Sequence, residues 1–179
     1  LFVAGLSLFF GGFATVGARH FIIYVSLGYA AFIFLIGNVV DGCDVFRAAS
    51  HWIKSAPLPY SIYIYKSIFR SVFPFAIHIV CALLIMAFLG WRLTWGALMA
   101  LPALALYVVN AVWVQLLFGL FAARWRDIAH LTNAVTRLLF FLSPIMWVYE
   151  ERTGFVRLVA DANPLTHFVE IFRAPIMGE

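Results

Sequence analysis

Charged residues interrupt this chain so rarely that they divide it into long apolar runs. Leu1–Ala18 ends at Arg19, and His20–Val40 ends at Asp41. Ser71–Trp91 lies between Arg70 and Arg92, and Leu93–Ala123 between Arg92 and Arg124. A hydrocarbon core of about 30 Å takes about 20 helical residues to cross, so each of the three internal runs is long enough to span. The first run is short and reads as a truncated span. A fifth, Ile128–Tyr149, carries Arg137 near its middle. The runs are apolar on all faces, whereas a membrane barrel strand alternates. The pattern therefore predicts helical spans at about 1–18, 21–40, 70–90, 96–121 and 129–149, a connection over 41–69 and an outer segment over 150–179.

Composition fixes the solvent of these helices. The chain is 65% hydrophobic, 18% aromatic and 11% charged, with a mean hydropathy of +0.99. A soluble domain carries about 25% charged residues. There is too little polar surface here to coat a globule of 179 residues in water. Disorder, a disulfide scaffold and a nucleic-acid module are excluded. The expected fold is an all-α polytopic membrane helical bundle in a single domain.

The net charge of +4 is accounted for by topology. The 41–70 and 122–137 connections hold Arg47, Lys54, Lys66, Arg70, Arg124, Arg126 and Arg137 against Asp41, Asp44 and Asp127. On the alternate side five arginines are balanced by five acids. The positive-inside rule puts the two basic connections in the cytoplasm and the tail outside, in a cytoplasmic (inner) membrane. In the first connection Asp44 is placed to cap a short helix, ended by Pro57 and Pro59. In the tail Asn163-Pro164 is a helix start, with Leu165, Phe168, Val169 and Phe172 on one side and Glu170 and Arg173 on the other.

Catalytic chemistry is absent. Lys54 and Lys66 follow Ile53 and Tyr65, so no Gly-Lys-Ser/Thr phosphate loop exists and any nucleotide must be hydrolysed on another chain. His20, His51, His78, His130 and His167 are scattered, and Cys43 and Cys81 have neither disulfide nor metal-ligand spacing. No catalytic residue, metal or other cofactor is expected. Arg137 is costly at mid-span, about 2.5–3.5 kcal/mol on insertion scales, and has two readings. It faces a wet conduit, or it snorkels to the cytoplasmic face from a helix that starts nearer Leu131. Phe140, Phe141, Trp147 and Tyr149 likewise either pack in the bundle or line a conduit along which sugar rings slide.

Three stretches resemble the permease subunits of type-2 ABC exporters that move polysaccharides and polyol phosphates. Trp52-Ile53-Lys54-Ser55-Ala56-Pro57-Leu58-Pro59 is similar to that family's hydrophobic-Ile-Lys-Lys-x-x-Phe-Pro signature, with Ser55 for the second lysine and Leu58 for the aromatic. Ala123-Arg124-Trp125-Arg126-Asp127-Ile128 with Phe140-Phe141-Leu142-Ser143-Pro144 resembles its Arg-aromatic-Arg-Asp turn and Phe-Phe-Leu-Ser/Thr-Pro span. Asn163-Pro164-Leu165 resembles the segment before its last span. The resemblance implies six spans, so the chain reads as a fragment lacking the sixth. It implies a coupling helix at about Asp44–Ser55, contacting a separate ATP-binding cassette ATPase through Arg47, Trp52, Ile53, Lys54, Pro57 and Leu58. It also implies outer re-entrant helices at Phe155–Ala160 and Pro164–Arg173, and a second copy of the chain across a channel for a lipid-linked glycan. Arg137, Phe140, Phe141, Trp147 and Tyr149 are the candidate channel lining. Export of a drug or lipid by the same kind of permease, and a membrane-embedded transferase, are the rival readings.

The topology has a direct check. Single cysteines at Ser50 and Arg152 are expected to react with an impermeant thiol reagent from opposite faces of the membrane. Labelling of both from one face contradicts the assignment.

Overall fold

The computed structural model describes residues 17–55, 58–91, 95–149 and 153–178. The expected span 1–18 lies outside them as far as position 16. The described chain is helical, with no strand among these residues: α1 (Ala18–Ala48), α2 (Ser50–Ser55), α3 (Ser61–Phe88), a 3-10 turn (Trp95–Met99), α4 (Ala100–Arg124), α5 (Asp127–Leu142), α6 (Phe155–Ala162) and α7 (Pro164–Met177). Arg19–Ser55, Ser61–Phe88 and Trp95–Arg124 are long and apolar enough to cross a membrane. The chain is thus the polytopic helical bundle its composition calls for.

The three long helices are not equivalent. In its most apolar stretch the first is 61% buried, against 17% and 22% for the others, so α1 is the axis and α3 and α4 flank it. Antiparallel α3 reads off α1 in steps: His20 on Trp91, Phe34 stacked on Phe75 at 4.4 Å, Phe46 edge-on to Tyr60. Parallel α4 brings Tyr107 beside Phe34. Returning α5 sets Phe140 against Phe32 at 5.4 Å, and the Cys43 thiol donates to the Thr132 hydroxyl at 3.5 Å.

Two features pin the register of α1 and α4. Buried Asn38 accepts from the Gln115 amide at 2.7 Å and from the Ser71 hydroxyl at 3.3 Å, and its own amide donates to the Phe34 carbonyl. One side chain thereby ties three helices where lipid offers no partner. A turn further on, the backbones close together. A Cβ on Gly42 would lie 2.9 Å from Gln115 Cα, and one on Gly119 would lie 2.8 Å from a Phe46 ring carbon.

Two boundaries differ from the sequence pattern. Asp44 caps no new helix, because α1 runs unbroken through it to Ala48 and Asp44 pairs with Arg47 at 2.6 Å along the same helix. The packing of Gly42 and Val45 against α4 holds these turns helical past the charge that ends the apolar run. Within the 129–149 run, α5 ends at Leu142, with Ser143 extended ahead of Pro144. Proline disfavours a helical residue before it, which sets that end.

Gly42→Ala is expected to lower the thermal unfolding midpoint in detergent, since overpacking against backbone costs about 1–3 kcal/mol. Gly37→Ala, whose Cβ would meet nothing within 4 Å, is expected to leave the midpoint unchanged or raise it.

Candidate functional site

The residues singled out from sequence fall in two regions, one past the C-terminal end of α1 and one along α5 and the chain after it, from the level of Phe32 to that of Tyr24. At the C-terminal end of α1, α2 follows after a single residue, Ala49, whose carbonyl accepts from the Ile53 amide at 2.9 Å. The Ser55 hydroxyl folds back on the carbonyls of His51 and Trp52 and closes the turn. No residue of α2 is buried. Trp52 is 61% exposed, and Arg47, Lys54 and Leu58 are exposed with it, while half-buried Ile53 packs onto the core. Pro57 lies outside the described residues. The others stand on one short connection, with an indole open to solvent between two cations.

Of the candidate channel residues, three come together. Phe140 meets Phe141 edge-on at 5.6 Å, and the Trp147 indole N–H donates to the Phe141 carbonyl at 3.4 Å. Arg137 is exposed on α5, whose buried side is Thr132 and Thr136. Because α5 starts at Asp127 rather than near Leu131, Arg137 lies almost three turns, about 15 Å, along it. Tyr149 stands apart from the trio. Its amide donates to the Tyr24 hydroxyl at 3.0 Å, its phenol bonds Asp161, and the Arg157 guanidinium lies over its ring at 5.2 Å.

The residue that sequence reasoning misplaced is Arg173. The sequence pattern puts it with Glu170 on the side of its helix away from Val169 and Phe172; the structure buries it fully beside them. Asn163 caps α7 by accepting from the Leu165 amide, with Pro164 opening the helix, and its own amide donates to Ser143 Oγ at 3.0 Å. That anchor sets α7 against the break after α5. Arg173 Nη1 then donates to the Pro144 carbonyl at 3.0 Å, which no helix uses, and Nη2 donates to Tyr24 Oη at 2.6 Å. Glu170 supplies the countercharge, and the guanidinium carbon lies 3.3 Å from the Tyr24 ring centroid. Gly28 makes room, since a Cβ there would stand 3.1 Å from Nη1. The signal was present in the sequence: Thr166, Val169, Arg173 and Ile176 form one helical stripe, and all are buried.

Below this cluster Tyr107 donates to the Phe168 carbonyl at 2.6 Å, and Phe75, Tyr107 and Phe172 pack ring to ring. α7 is therefore held by α1, α3, α4 and the Ser143–Pro144 break together. No group of histidine, cysteine and acidic residues able to hold a metal occurs among the described residues.

A protein-family model described as ABC-2 type transporter matches residues 1–177. No curated protein matches the chain.

Arg173→Ala is expected to cost about 3–5 kcal/mol, since it strips Glu170 of its countercharge and empties a buried site. Tyr24→Phe should cost about 2–4 kcal/mol, the loss of one hydrogen bond from a charged group and one from the Tyr149 amide. Thermal unfolding in detergent reads both, with exposed Ile171→Ala as the reference. Equal midpoints for Arg173→Ala and Ile171→Ala would contradict this account of the cluster.

Proposed function

The chain belongs to the ABC-2 type transporter family, and from that premise we propose that it is the permease subunit of an exporter driven by a separate ATPase. Membership makes it a membrane transport component. The finer reading is that the α2 connection faces the cytoplasm, that the ATPase seats on Trp52 and Ile53, and that two copies of the chain enclose the path of a lipid-linked cell-surface polysaccharide across the inner membrane.

The observation that carries this reading is the state of α2. It lies past the apolar runs and buries none of its residues, yet it presents an indole to solvent. Tryptophan is among the residues that dominate interfaces when a partner covers it. Arg47 and Lys54 flank it with positive charge. Support for a glycan comes from the Phe140, Phe141 and Trp147 cluster beside an exposed arginine. Aromatic faces attract sugar rings without committing many hydrogen bonds. The three stretches that resemble polysaccharide permeases point the same way.

The docking reading is tested by co-purification of the full-length protein with the ATPase subunit encoded beside it. Trp52→Glu and Ile53→Glu are each expected to lower recovery of the ATPase by tenfold or more, roughly the effect of losing an interface hot spot. An undiminished complex with both variants would remove α2 from the interface.

A further inference from the structure

Between the last turns of α1 and the first turns of α3 lies a cavity of about 610 Å³. Its wall carries two acids from α1, Asp41 and Asp44, and two bases from α3, Lys66 and Arg70. The charges are not mutually spent. Arg70 stands 3.6 Å from Asp41, beyond the 2.7–2.9 Å of a charge-assisted hydrogen bond. Asp44 is held from outside the cavity by Arg47 at 2.6 Å. Lys66 has no ion-pair partner among the described residues.

An unpaired ammonium and a stretched ion pair in one cavity leave hydrogen-bonding capacity for a ligand that the chain itself does not provide.

The arrangement selects the class of that ligand. Lys66 and Arg70 are four residues apart on one helix face, close enough to share one phosphate. A simple anion would also meet the two carboxylates, and a simple cation would meet the two bases. A group that carries both charges satisfies all four. Phe69 and Phe73, on the same side of α3, are 82% and 71% exposed where the helix enters its apolar stretch. They offer a track for a hydrocarbon chain leaving the cavity along α3.

We propose that this cavity seats a zwitterionic phospholipid with a primary ammonium, of the ethanolamine type. Its phosphate meets Lys66 and Arg70, and its ammonium donates to Asp41 and Asp44. A trimethylammonium headgroup has no N–H to give these carboxylates, and a glycerol headgroup has no cation. The site is independent of what the transporter exports.

The test is native mass spectrometry of the full-length protein with its ATPase, titrated with dioleoyl phosphatidylethanolamine, phosphatidylcholine and phosphatidylglycerol. The ethanolamine lipid is expected to bind about tenfold tighter than either other, the effect of one charge-assisted hydrogen bond. Lys66→Gln and Arg70→Gln should each weaken it several-fold, and Asp44→Asn should bring it level with the glycerol lipid. Three outcomes overturn the proposal: equal binding of the three lipids, ethanolamine-lipid binding untouched by Lys66→Gln and Asp44→Asn, or free phosphoethanolamine binding as well as the lipid. Lipid that binds the permease alone but never the ATPase complex would give the cavity to that subunit and overturn it too. ATPase recovery is read in the same spectra, so failure of the lipid site is distinct from failure of docking.

Discussion

Hydrocarbon offers no hydrogen-bond partner, so every polar group carried into it must be met by another segment of protein, and that demand decides where segments lie. Here α1 carries the demand at two levels. Asn38 draws in Ser71 of α3 and Gln115 of α4. Tyr24, about 21 Å further along the helix at 1.5 Å per residue, draws in the Tyr149 amide and the Arg173 guanidinium, and through them the chain after α5 and all of α7. Between the levels, Phe32 and Phe34 take up the rings of α5, α3 and α4. One helix therefore sets the register of the others. The glycines at 28 and 42 stand where a neighbour comes closest to it.

The apolar runs were enough to read α1, α3 and α4 and the all-helical class, because a helix that meets lipid on several faces must be apolar on those faces. Local chemistry was enough for the Asn163-Pro164 start, since cap and proline act within one turn, whereas the apolar run over 129–149 hid the stop before Pro144 because apolar residues continue past the end of the helix. Charge was a poorer guide. A run ends at Asp41, but a helix ends where its packing ends, and Gly42 and Val45 still pack on α4. Arg173 failed for a related reason. A cation is assigned to the polar side unless its partners are known, and Tyr24 and Pro144 lie far from it in sequence. Of the residues expected to dock a partner, the exposure of Trp52 and Leu58 suits that role, while the aromatic candidates divide into the Phe140–Phe141–Trp147 group and a structural Tyr149.

Exposed apolar side chains mean different things along this molecule. Phe88, Val109 and Leu120 stand out from α3 and α4 in stretches whose composition suits lipid, and they need no protein to cover them. Trp52 is set in the sequence Ser50-His51-Trp52-Ile53-Lys54-Ser55, on a helix where only Ile53 packs onto the core, so the same exposure asks for a different cover. Phe69 and Phe73 fall between these cases, apolar residues interleaved with Lys66 and Arg70 at the junction of the two regimes. Position along the helix, rather than degree of exposure, separates them.

The direct passage of α1 into α2 has a mechanical consequence. A single residue separates them, and its own amide bonds back to Val45 while its carbonyl accepts from Ile53. No hinge is available there to absorb movement. From Trp52 back to Tyr24 the chain is a nearly continuous rod of about 40 Å, so that a tilt of about 5° at one end sweeps the other by about 3–4 Å. That is more than the Tyr24–Arg173 contact can stretch without parting. A tilt at one end of this rod is thus felt by the buried arginine at the other, and α7 has to re-seat with it.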